Sequence, residues 1–132
     1  MIDGETLDRP LTVTCPDCGG ALRRTDLGAL IKYDCHIGHA YTAEALAEAQ
    51  FDQMERIMRA AERILNERAE FCRQMAERAE ALSIVEDGVL WRSARKEAQD
   101  RAYNMRDLVE QDWIKPELSA PRESPVDGAR RQ

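Results

Sequence analysis

The sequence has little of several features that point to common functions. Aromatic residues make up only 5% of its 132 residues, so a hydrophobic core has to be built largely from Leu, Ile, Met and Ala, which favours helices. Asp and Glu outnumber Lys and Arg, and the formal net charge of −6 is spread along the chain. Nucleic-acid binding is therefore not expected, because phosphate contacts need a local excess of positive charge. No apolar run approaches the roughly 20 residues of a membrane span, so we expect a soluble protein.

Cysteine is also scarce, with four residues in the chain. The opening residues, MIDGETLDRP, contain acidic side chains and no apolar stretch of the kind found in secretory signal peptides. We therefore expect a reducing, cytoplasmic environment. In such an environment a Cys-x-x-Cys pair indicates metal binding or redox chemistry rather than a structural disulfide.

Composition divides the chain into four segments. Residues 1–11 are polar and are expected to form a flexible lead-in, and residues 114–132, with three prolines and few apolar residues, are expected to form a disordered tail. Residues 12–41 hold three of the four cysteines, both histidines and four of the seven glycines, which is typical of a compact, turn-rich module. A short β-hairpin around Gly28 fits this segment. Residues 42–113 consist mostly of strong helix formers.

The segment 42–113 predicts two helices. Residues 42–82 contain no Pro or Gly, and Thr42 is a suitable N-cap. A second helix over 89–113 follows a break at SIVEDG, residues 83–88, which predicts an antiparallel helical hairpin. The apolar stripe of the first helix comprises Phe51, Met54, Met58, Ala61, Leu65, Arg68, Cys72, Met75, Ala79 and Leu82, widened by Ile57, Ile64 and Phe71, with Arg68 as its one charged member.

The first helix is longer than the second by about 16 residues on this division, so the hairpin alone does not cover its apolar stripe. The remainder has to be covered by the cysteine-containing module or by another chain. We expect a homodimer built as a four-helix arrangement. Cys72 lies on the stripe and is interpreted as a small buried hydrophobic residue.

The cysteine spacing predicts a metal site. Cys15 and Cys18 form a first turn, and Cys35 with His39 forms a second, giving Cys-x2-Cys-x16-Cys-x3-His. This is the layout of a zinc ribbon, in which two tight turns joined by a hairpin point four side chains at one ion. Three thiolates and one imidazole favour Zn²⁺, with iron as the alternative for a sulfur-rich site. His36 is the competing fourth ligand, but its direct neighbour Cys35 makes it hard for both side chains to reach one ion.

Four protein ligands close the coordination shell, so the site is expected to be structural rather than catalytic. An enzyme would need an open metal position or a nucleophile with a base, and neither is visible, so we expect no enzymatic activity and no small-molecule substrate. A thioredoxin-like role for Cys15 and Cys18 lacks the βαβ context that it requires. The fold class is therefore predicted to be mainly α: a small zinc-ribbon β-hairpin module followed by a long antiparallel helical hairpin.

Three stretches, TCPDCGGAL, YDCHIGHAYTAEAL and IMRAAERILNERAEFCRQMAERA, resemble the zinc-ribbon and helical-hairpin segment that follows the catalytic domain in some CheB-type protein-glutamate methylesterases of bacterial chemotaxis-like systems. The resemblance covers about residues 12 to 112. It implies that Cys15, Cys18, Cys35 and His39 are the metal ligands, and that Gly38, Ala40 and Tyr41 form the junction to the helix. It does not carry over the esterase, whose Ser, His and Asp belong to a separate domain.

The sequence thus predicts a non-enzymatic, zinc-binding accessory or regulatory module of a bacterial chemotaxis-like or two-component signalling system, acting through a protein partner. The chain is either a stand-alone relative or a piece of a longer protein. Two alternatives stay open. A nucleic-acid-binding zinc ribbon would use Arg23, Arg24 and Lys32 on phosphates, and a thiol or zinc-release redox switch would use Cys15 and Cys18.

Overall fold

A computed structural model describes residues 12–116; the predicted lead-in, residues 1–11, and the tail from residue 117 onward lie outside the described residues. The elements are β1 (Arg23–Leu27), β2 (Leu30–Asp34), β3 (Ala40–Thr42), α1 (Ala43–Ala81) and α2 (Val85–Glu110). The predicted fold class is confirmed: the protein is mainly α, with a small β-hairpin module before a long helix. Within the described residues the chain forms two compact units, residues 12–51 with 115 and 116, and residues 52–114.

The first unit contains a three-stranded antiparallel sheet in the order β1-β2-β3. Leu27 pairs with Leu30 across a two-residue turn whose first residue, Gly28, has φ +65°, a conformation that residues with a Cβ avoid. The predicted hairpin is thus present, and β3 is an addition, with Ala40 paired to Asp34. The small core beneath the sheet consists of Cys15, Leu22, Cys35 and Leu46, against which Tyr33 and Tyr41 pack.

The start of α1 belongs to this first unit. The Thr42 side-chain oxygen accepts a hydrogen bond from the backbone N–H of Ala45 at 3.1 Å, so Thr42 is the N-cap, as predicted. Leu46, in the first turn of the helix, is buried in the same cluster as two of the cysteines. The cysteine-containing module therefore covers the first turn of α1.

The second unit is the helical hairpin. Its buried residues are mostly small: Ala69, Cys72, Ala76 and Ala79 on α1, and Gly88, Ala98, Ala102 and Val109 on α2. Trp91 packs edge-to-face on Phe71 with ring centroids 5.7 Å apart, and Arg92 forms an ion pair with Glu80 at 2.7 Å. Gly88 lies beside Ala79, where an added Cβ would be 3.8 Å from Ala79 Cβ, and Trp91, further along α2, packs on Phe71, which is earlier in α1. The two helices therefore run antiparallel. Small side chains at the contact let the two backbones approach closely.

The buried stripe of α1 is displaced from the predicted one. Arg68 and Leu82 are exposed, and Ala69 and Ala76 are buried instead. An α-helix has 3.6 residues per turn, so a face followed in strict seven-residue steps drifts by about 20° per heptad, and the buried line moves by one residue. The flanking residues Ile57, Ile64 and Phe71 remain 58%, 55% and 51% exposed.

The break between the helices is shorter than predicted. The sequence placed it at residues 83–88, whereas α1 ends at Ala81 and α2 begins at Val85. Ser83 has φ 59°, the Ile84 N–H donates to Ala79 O at 2.9 Å, and the Ser83 N–H donates to Glu80 O at 3.1 Å. These bonds are those of a Schellman motif, which ends a helix within three residues. Helix α2 also ends earlier than predicted, at Glu110 instead of residue 113. Neither helix in the described part of the chain is long and apolar enough to cross a membrane.

Candidate metal centre

Two backbone turns position the site. In the first, the Cys15 N–H donates to Gly20 O at 2.6 Å and the Gly19 N–H donates to Cys15 O at 2.8 Å, which folds the Cys-Pro-Asp-Cys segment back on itself. In the second, between β2 and β3, the Cys35 N–H donates to His39 O at 3.0 Å. Each turn presents two side chains on the same side. The first turn, with Cys15 and Cys18, and the second turn, with Cys35 and His39, are therefore two half-sites that face each other.

The ligand atoms of Cys15, Cys18, Cys35 and His39 all lie within 4.8 Å of one another. Cys18 Sγ is 3.7 Å from Cys35 Sγ, and His39 Nδ1 is 3.6 Å from Cys15 Sγ and 3.4 Å from Cys35 Sγ. For a tetrahedral ion with bonds of about 2.3 Å to sulfur and about 2.0 Å to nitrogen, the edges are about 3.8 Å between sulfurs and about 3.5 Å between sulfur and nitrogen. The measured separations fit these edges, so the four residues can hold a metal ion. The donor set is consistent with zinc.

The four ligands differ in exposure. Cys15 is 0% exposed and Cys35 is 5% exposed, whereas Cys18 is exposed and His39 is half-buried. All three cysteines are free thiols, and 3.7 Å between sulfurs is far beyond the length of a disulfide. The site therefore has a closed side made by Cys15 and Cys35 and an open side made by Cys18.

Backbone N–H groups favour the thiolate form of the two buried cysteines. Burial by itself raises the pKa of Cys15, but the backbone N–H groups of Cys18 and Asp17 bring it below its ordinary value. For Cys35 burial again raises the pKa, and the N–H groups that follow it in the second turn lower it below the ordinary value. The turns thus do more than aim the sulfurs: they stabilise the charged form that a metal binds.

On the open side of the site, the pKa of Cys18 is shifted in the opposite direction. The Gly20 N–H lowers the pKa of Cys18, but burial and the neighbouring Cys15 and Cys35 thiols raise it, and the net pKa is above its ordinary value. Gly20 also controls the space here. A Cβ at this position would lie 3.2 Å from His36 Cε1 and 3.4 Å from Cys18 Sγ, so the absence of a side chain is what admits both groups.

The structure separates the two histidines as the spacing argument required. His39 belongs to the four-residue cluster and His36 does not; the His36 ring is exposed and lies beside Gly20. Cys72 is in the helical unit, where it is 0% exposed, which confirms its interpretation as a small buried residue. That Cys15, Cys18, Cys35 and His39 bind a metal stays a prediction.

Two residues beside the cluster were missed as functional groups by the sequence reasoning. The Tyr41 hydroxyl lies 3.7 Å from Cys15 Sγ and donates a hydrogen bond to the Asp17 carboxylate. Their sequence positions, inside Cys-Pro-Asp-Cys and two residues after His39, are the only signal that could have indicated them. Comparison of the chain with the models of known protein families, with curated proteins and with solved structures gives no match.

Proposed function

We propose that this chain is a non-catalytic, zinc-binding module that acts through protein–protein contact. The tetrahedral proximity of Cys15, Cys18, Cys35 and His39 is the observation that carries the proposal. Four protein donors leave no position for a water or a substrate, so the ion would hold the fold rather than activate a nucleophile. The cluster of Cys15, Leu22, Cys35 and Leu46 is small, and in so small a core metal binding of about 10 kcal/mol or more would supply most of the folding free energy.

The helical unit supports contact with another protein. Ile57, Ile64 and Phe71 follow one another at seven-residue steps on α1, and each exposes more than half of its surface. At 1.5 Å per residue, these three exposed side chains form a line about 20 Å long. Isolated exposed apolar residues need no explanation, but a regular line of them is characteristic of a helix-packing surface.

The proposed occupant of this line is a second copy of the chain. In a two-fold antiparallel pairing of two α1 helices centred between residues 67 and 68, Ile64 of each copy faces Phe71 of the other. The same pairing sets Glu67 of each copy against Arg68 of the other. Arg68 makes no ion pair among residues 12–116, so a carboxylate from another copy would complement it; Glu67 would then be shared with Arg63 of its own helix, to which it is paired at 3.1 Å. Two-fold pairing repeats each contact twice, as an isologous interface requires.

The setting that we propose is a bacterial chemotaxis-like or two-component signalling system, with the chain as an accessory or regulatory unit. The resemblance of its cysteine turns and long Ala- and Glu-rich helix to the segment following the catalytic domain of CheB-type methylesterases supports this setting. A nucleic-acid role is less favoured. Arg23 is paired with Asp34 at 3.0 Å and Arg24 with Asp26 at 2.9 Å, so two of the three cations that would contact phosphates are already neutralised.

One observation favours a redox role as the second candidate. Cys18 is exposed while Cys15 and Cys35 are buried, so an oxidant reaches one ligand first. The sequence suggested Cys15 and Cys18 for this role, but the structure places Cys18 Sγ 3.7 Å from Cys35 Sγ. Oxidation of the Cys18 and Cys35 thiols by hydrogen peroxide would form a disulfide and two molecules of water, and would expel the ion. Zinc released in step with thiol loss at micromolar peroxide would support the switch. Retention of zinc at that peroxide concentration would rule out the switch and leave the structural role as the function of the ion.

Metal content tests the main proposal. We would purify the parent, Cys18→Ser and Cys72→Ser without added metal and measure zinc and iron per chain by mass spectrometry. We expect one zinc in the parent and in Cys72→Ser, which removes a thiol outside the cluster, and its loss in Cys18→Ser. Absence of metal from the parent would overturn the proposal, and iron in place of zinc would overturn the identity of the ion.

Light scattering tests the partner. We expect a dimer mass for the parent and a monomer mass for Ile64→Asp, which places a charge at the centre of the apolar line. Tyr103→Asp is the matched control, because Tyr103 is 71% exposed on α2 and lies outside the line. A parent that is monomeric at all concentrations would exclude the second copy and leave a different protein as the occupant.

A further inference from the structure

We infer that Tyr41 and Asp17 are positioning residues of the metal site, joining its two halves before the ion binds. Asp17 lies in the first turn, between Cys15 and Cys18, and Tyr41 lies in β3, two residues after His39. The Tyr41 hydroxyl donates to the Asp17 carboxylate across these two segments. This inference rests on the proposed metal-binding function and adds to it the residues that preorganise the site.

The topology shows why such a link is useful. The two half-sites are joined along the chain only through the β1-β2 hairpin, and Cys18 and Cys35 are 17 positions apart. The second half-site is anchored by the sheet, because Tyr33 on β2 is paired with Tyr41 on β3. The first half-site lies outside the three strands, and its backbone hydrogen bonds are those of an isolated bridge between Thr14 and Ala21 and of its own turn. Of its two cysteines, Cys15 is buried in the small core, whereas Cys18 is exposed. The hydrogen bond from Tyr41 to Asp17 therefore ties the less anchored turn to the sheet.

The chemistry of the contact favours a positioning role. A tyrosine hydroxyl has one proton, and here it is directed to the Asp17 carboxylate, a charge-assisted bond of the stronger kind. The same oxygen lies 3.7 Å from Cys15 Sγ, so the link fixes Cys15 and Asp17 against one group. Neither residue supplies an atom to the four-residue cluster. Their effect is to hold the cluster together, as outer-sphere partners of metal ligands do.

The hydrogen bond from Tyr41 to Asp17 reduces the free energy that metal binding has to spend on ordering the first turn. With the link in place, the first turn is held near the sheet in the metal-free protein. Without it, closure of the two half-sites has to accompany metal binding, and the apparent affinity falls. Loss of outer-sphere partners weakens metal binding by about 10-fold to 100-fold, and we expect the lower end of that range for one hydrogen bond.

The test uses variants that remove the hydrogen bond and keep the packing. Tyr41→Phe retains the ring that packs on the cluster of Cys15, Leu22, Cys35 and Leu46, and removes the hydroxyl. Asp17→Ala removes the acceptor from an exposed position. Tyr33→Phe is the matched control: it removes a hydroxyl from the residue paired with Tyr41, and its ring packs on the same cluster.

Zinc affinity would be measured by competition with a chromophoric chelator for the parent, the three variants and the double variant Tyr41→Phe/Asp17→Ala. Cobalt substitution supplies a spectroscopic readout of the ligand set. We expect about 10-fold weaker zinc binding in Tyr41→Phe and in Asp17→Ala, no greater loss in the double variant, and parental affinity in Tyr33→Phe. The thiolate-to-cobalt bands should be the same throughout, because the four ligands are unchanged.

The outcomes separate this inference from the proposed function. Parental affinity in Tyr41→Phe, or losses that multiply in the double variant, would overturn the positioning role while leaving the metal site intact. Altered cobalt bands in Tyr41→Phe would show that the variant changes the ligand set and would also overturn it. A parent that binds neither zinc nor cobalt would overturn the proposed function, and the inference with it.

Discussion

The Thr42 side-chain oxygen caps the backbone N–H of Ala45 at 3.1 Å, although Thr42 is also the last residue of β3. Strand and helix therefore share a residue, with no loop between them. His39 lies three residues before Thr42, so the second half-site and the start of α1 are parts of one short continuous segment. Leu46 adds to this coupling, because it is buried in the cluster that contains Cys15 and Cys35.

Removal of the metal should consequently affect the first unit and spare the second. A strong chelator is expected to unfold residues 12–42 and to fray α1 as far as about residue 51, because the small cluster around Cys15 is insufficient without the ion. Hydrogen exchange followed by mass spectrometry would show lost protection in peptides from this range. Peptides that span Ala69 and Ala102 in the hairpin should keep theirs.

Two controls make this prediction sharp. Added zinc should restore protection in the first unit, and the same chelator should leave exchange in the Cys18→Ser variant unchanged, since that variant is expected to hold no metal. Equal loss of protection in both units would contradict the prediction and would mean that the hairpin depends on the metal for its own folding.

The parts of the fold that could be predicted from sequence are those with a local cause. The proximity of Cys15, Cys18, Cys35 and His39 could be predicted because two tight turns place residues of this spacing side by side. Thr42 was identified because an N-cap is defined by its own side chain and the three residues after it. In both cases the cause lies in short turns and caps, whose geometry is fixed by residues close together in the chain.

The parts that were missed depend on contacts across the chain. Strand β3 exists because Ala40 pairs with Asp34 after the second turn, and three residues are too few to carry a strand pattern. The buried stripe was misplaced because Ala69 and Ala76 carry a weak hydrophobic signal beside Met75 and Leu82, although their small size is what allows the close helix contact. The short break was missed because serine has no preference for positive φ that would have indicated the conformation of Ser83.

Substitution of Gly20 should weaken the metal site without touching a ligand. In Gly20→Ala the added methyl group would lie 3.4 Å from Cys18 Sγ and 3.2 Å from the His36 ring. The exposed His36 ring can move away, whereas a metal-bound sulfur cannot move without straining its bond. We expect a severalfold loss of zinc affinity, measured by chelator competition.

The double variant Gly20→Ala/His36→Ala separates the two contacts. It should recover little of the lost affinity, since the crowding of Cys18 remains, and His36→Ala alone should bind like the parent. Full recovery in the double variant would assign the effect to His36. Unchanged affinity in Gly20→Ala would show that the turn accommodates the methyl group.

The ion pair of Glu70 with Arg73 predicts a pH dependence of the helical unit. Arg73 donates two hydrogen bonds to the Glu70 carboxylate, of 2.8 Å and 2.7 Å, and with Gln74 it lowers the pKa of Glu70 to about 2. A folded-state pKa below the unfolded value of about 4.3 stabilises the fold above that pH, and the contribution is lost as the pH falls towards 2. The pair is solvent-exposed, so the effect is small.

Urea unfolding of the hairpin, followed through Trp91 and Trp113 fluorescence, would measure this contribution. Glu70→Gln should be less stable than the parent at pH 7, and the two should converge between about pH 4 and pH 2. Glu62→Gln, which removes the same charge from the same helix, should show a smaller difference at pH 7. A difference for Glu70→Gln that persists unchanged at pH 2 would rule out the ionised pair as its cause.

Ser83→Gly should stabilise the helical hairpin. Ser83 occupies the position of the Schellman motif where glycine is usual, at φ 59°, and a left-handed conformation costs a residue with a Cβ about 1–2 kcal/mol. Glycine removes that cost, but its greater conformational freedom stabilises the unfolded chain by roughly 0.5–1 kcal/mol. We therefore expect the free energy of unfolding to rise by about 0.5 kcal/mol.

The gain should appear as a higher urea midpoint with an unchanged slope, because the same surface is exposed on unfolding. Ser83→Ala is the matched control: it removes the hydroxyl and keeps the Cβ at positive φ, so it should not reproduce the gain. If Ser83→Ala stabilised the hairpin as much as Ser83→Gly, the hydroxyl and not the backbone conformation would be the destabilising feature. If Ser83→Gly were less stable than the parent, the entropy of the unfolded chain would outweigh the cost of the left-handed conformation at this turn.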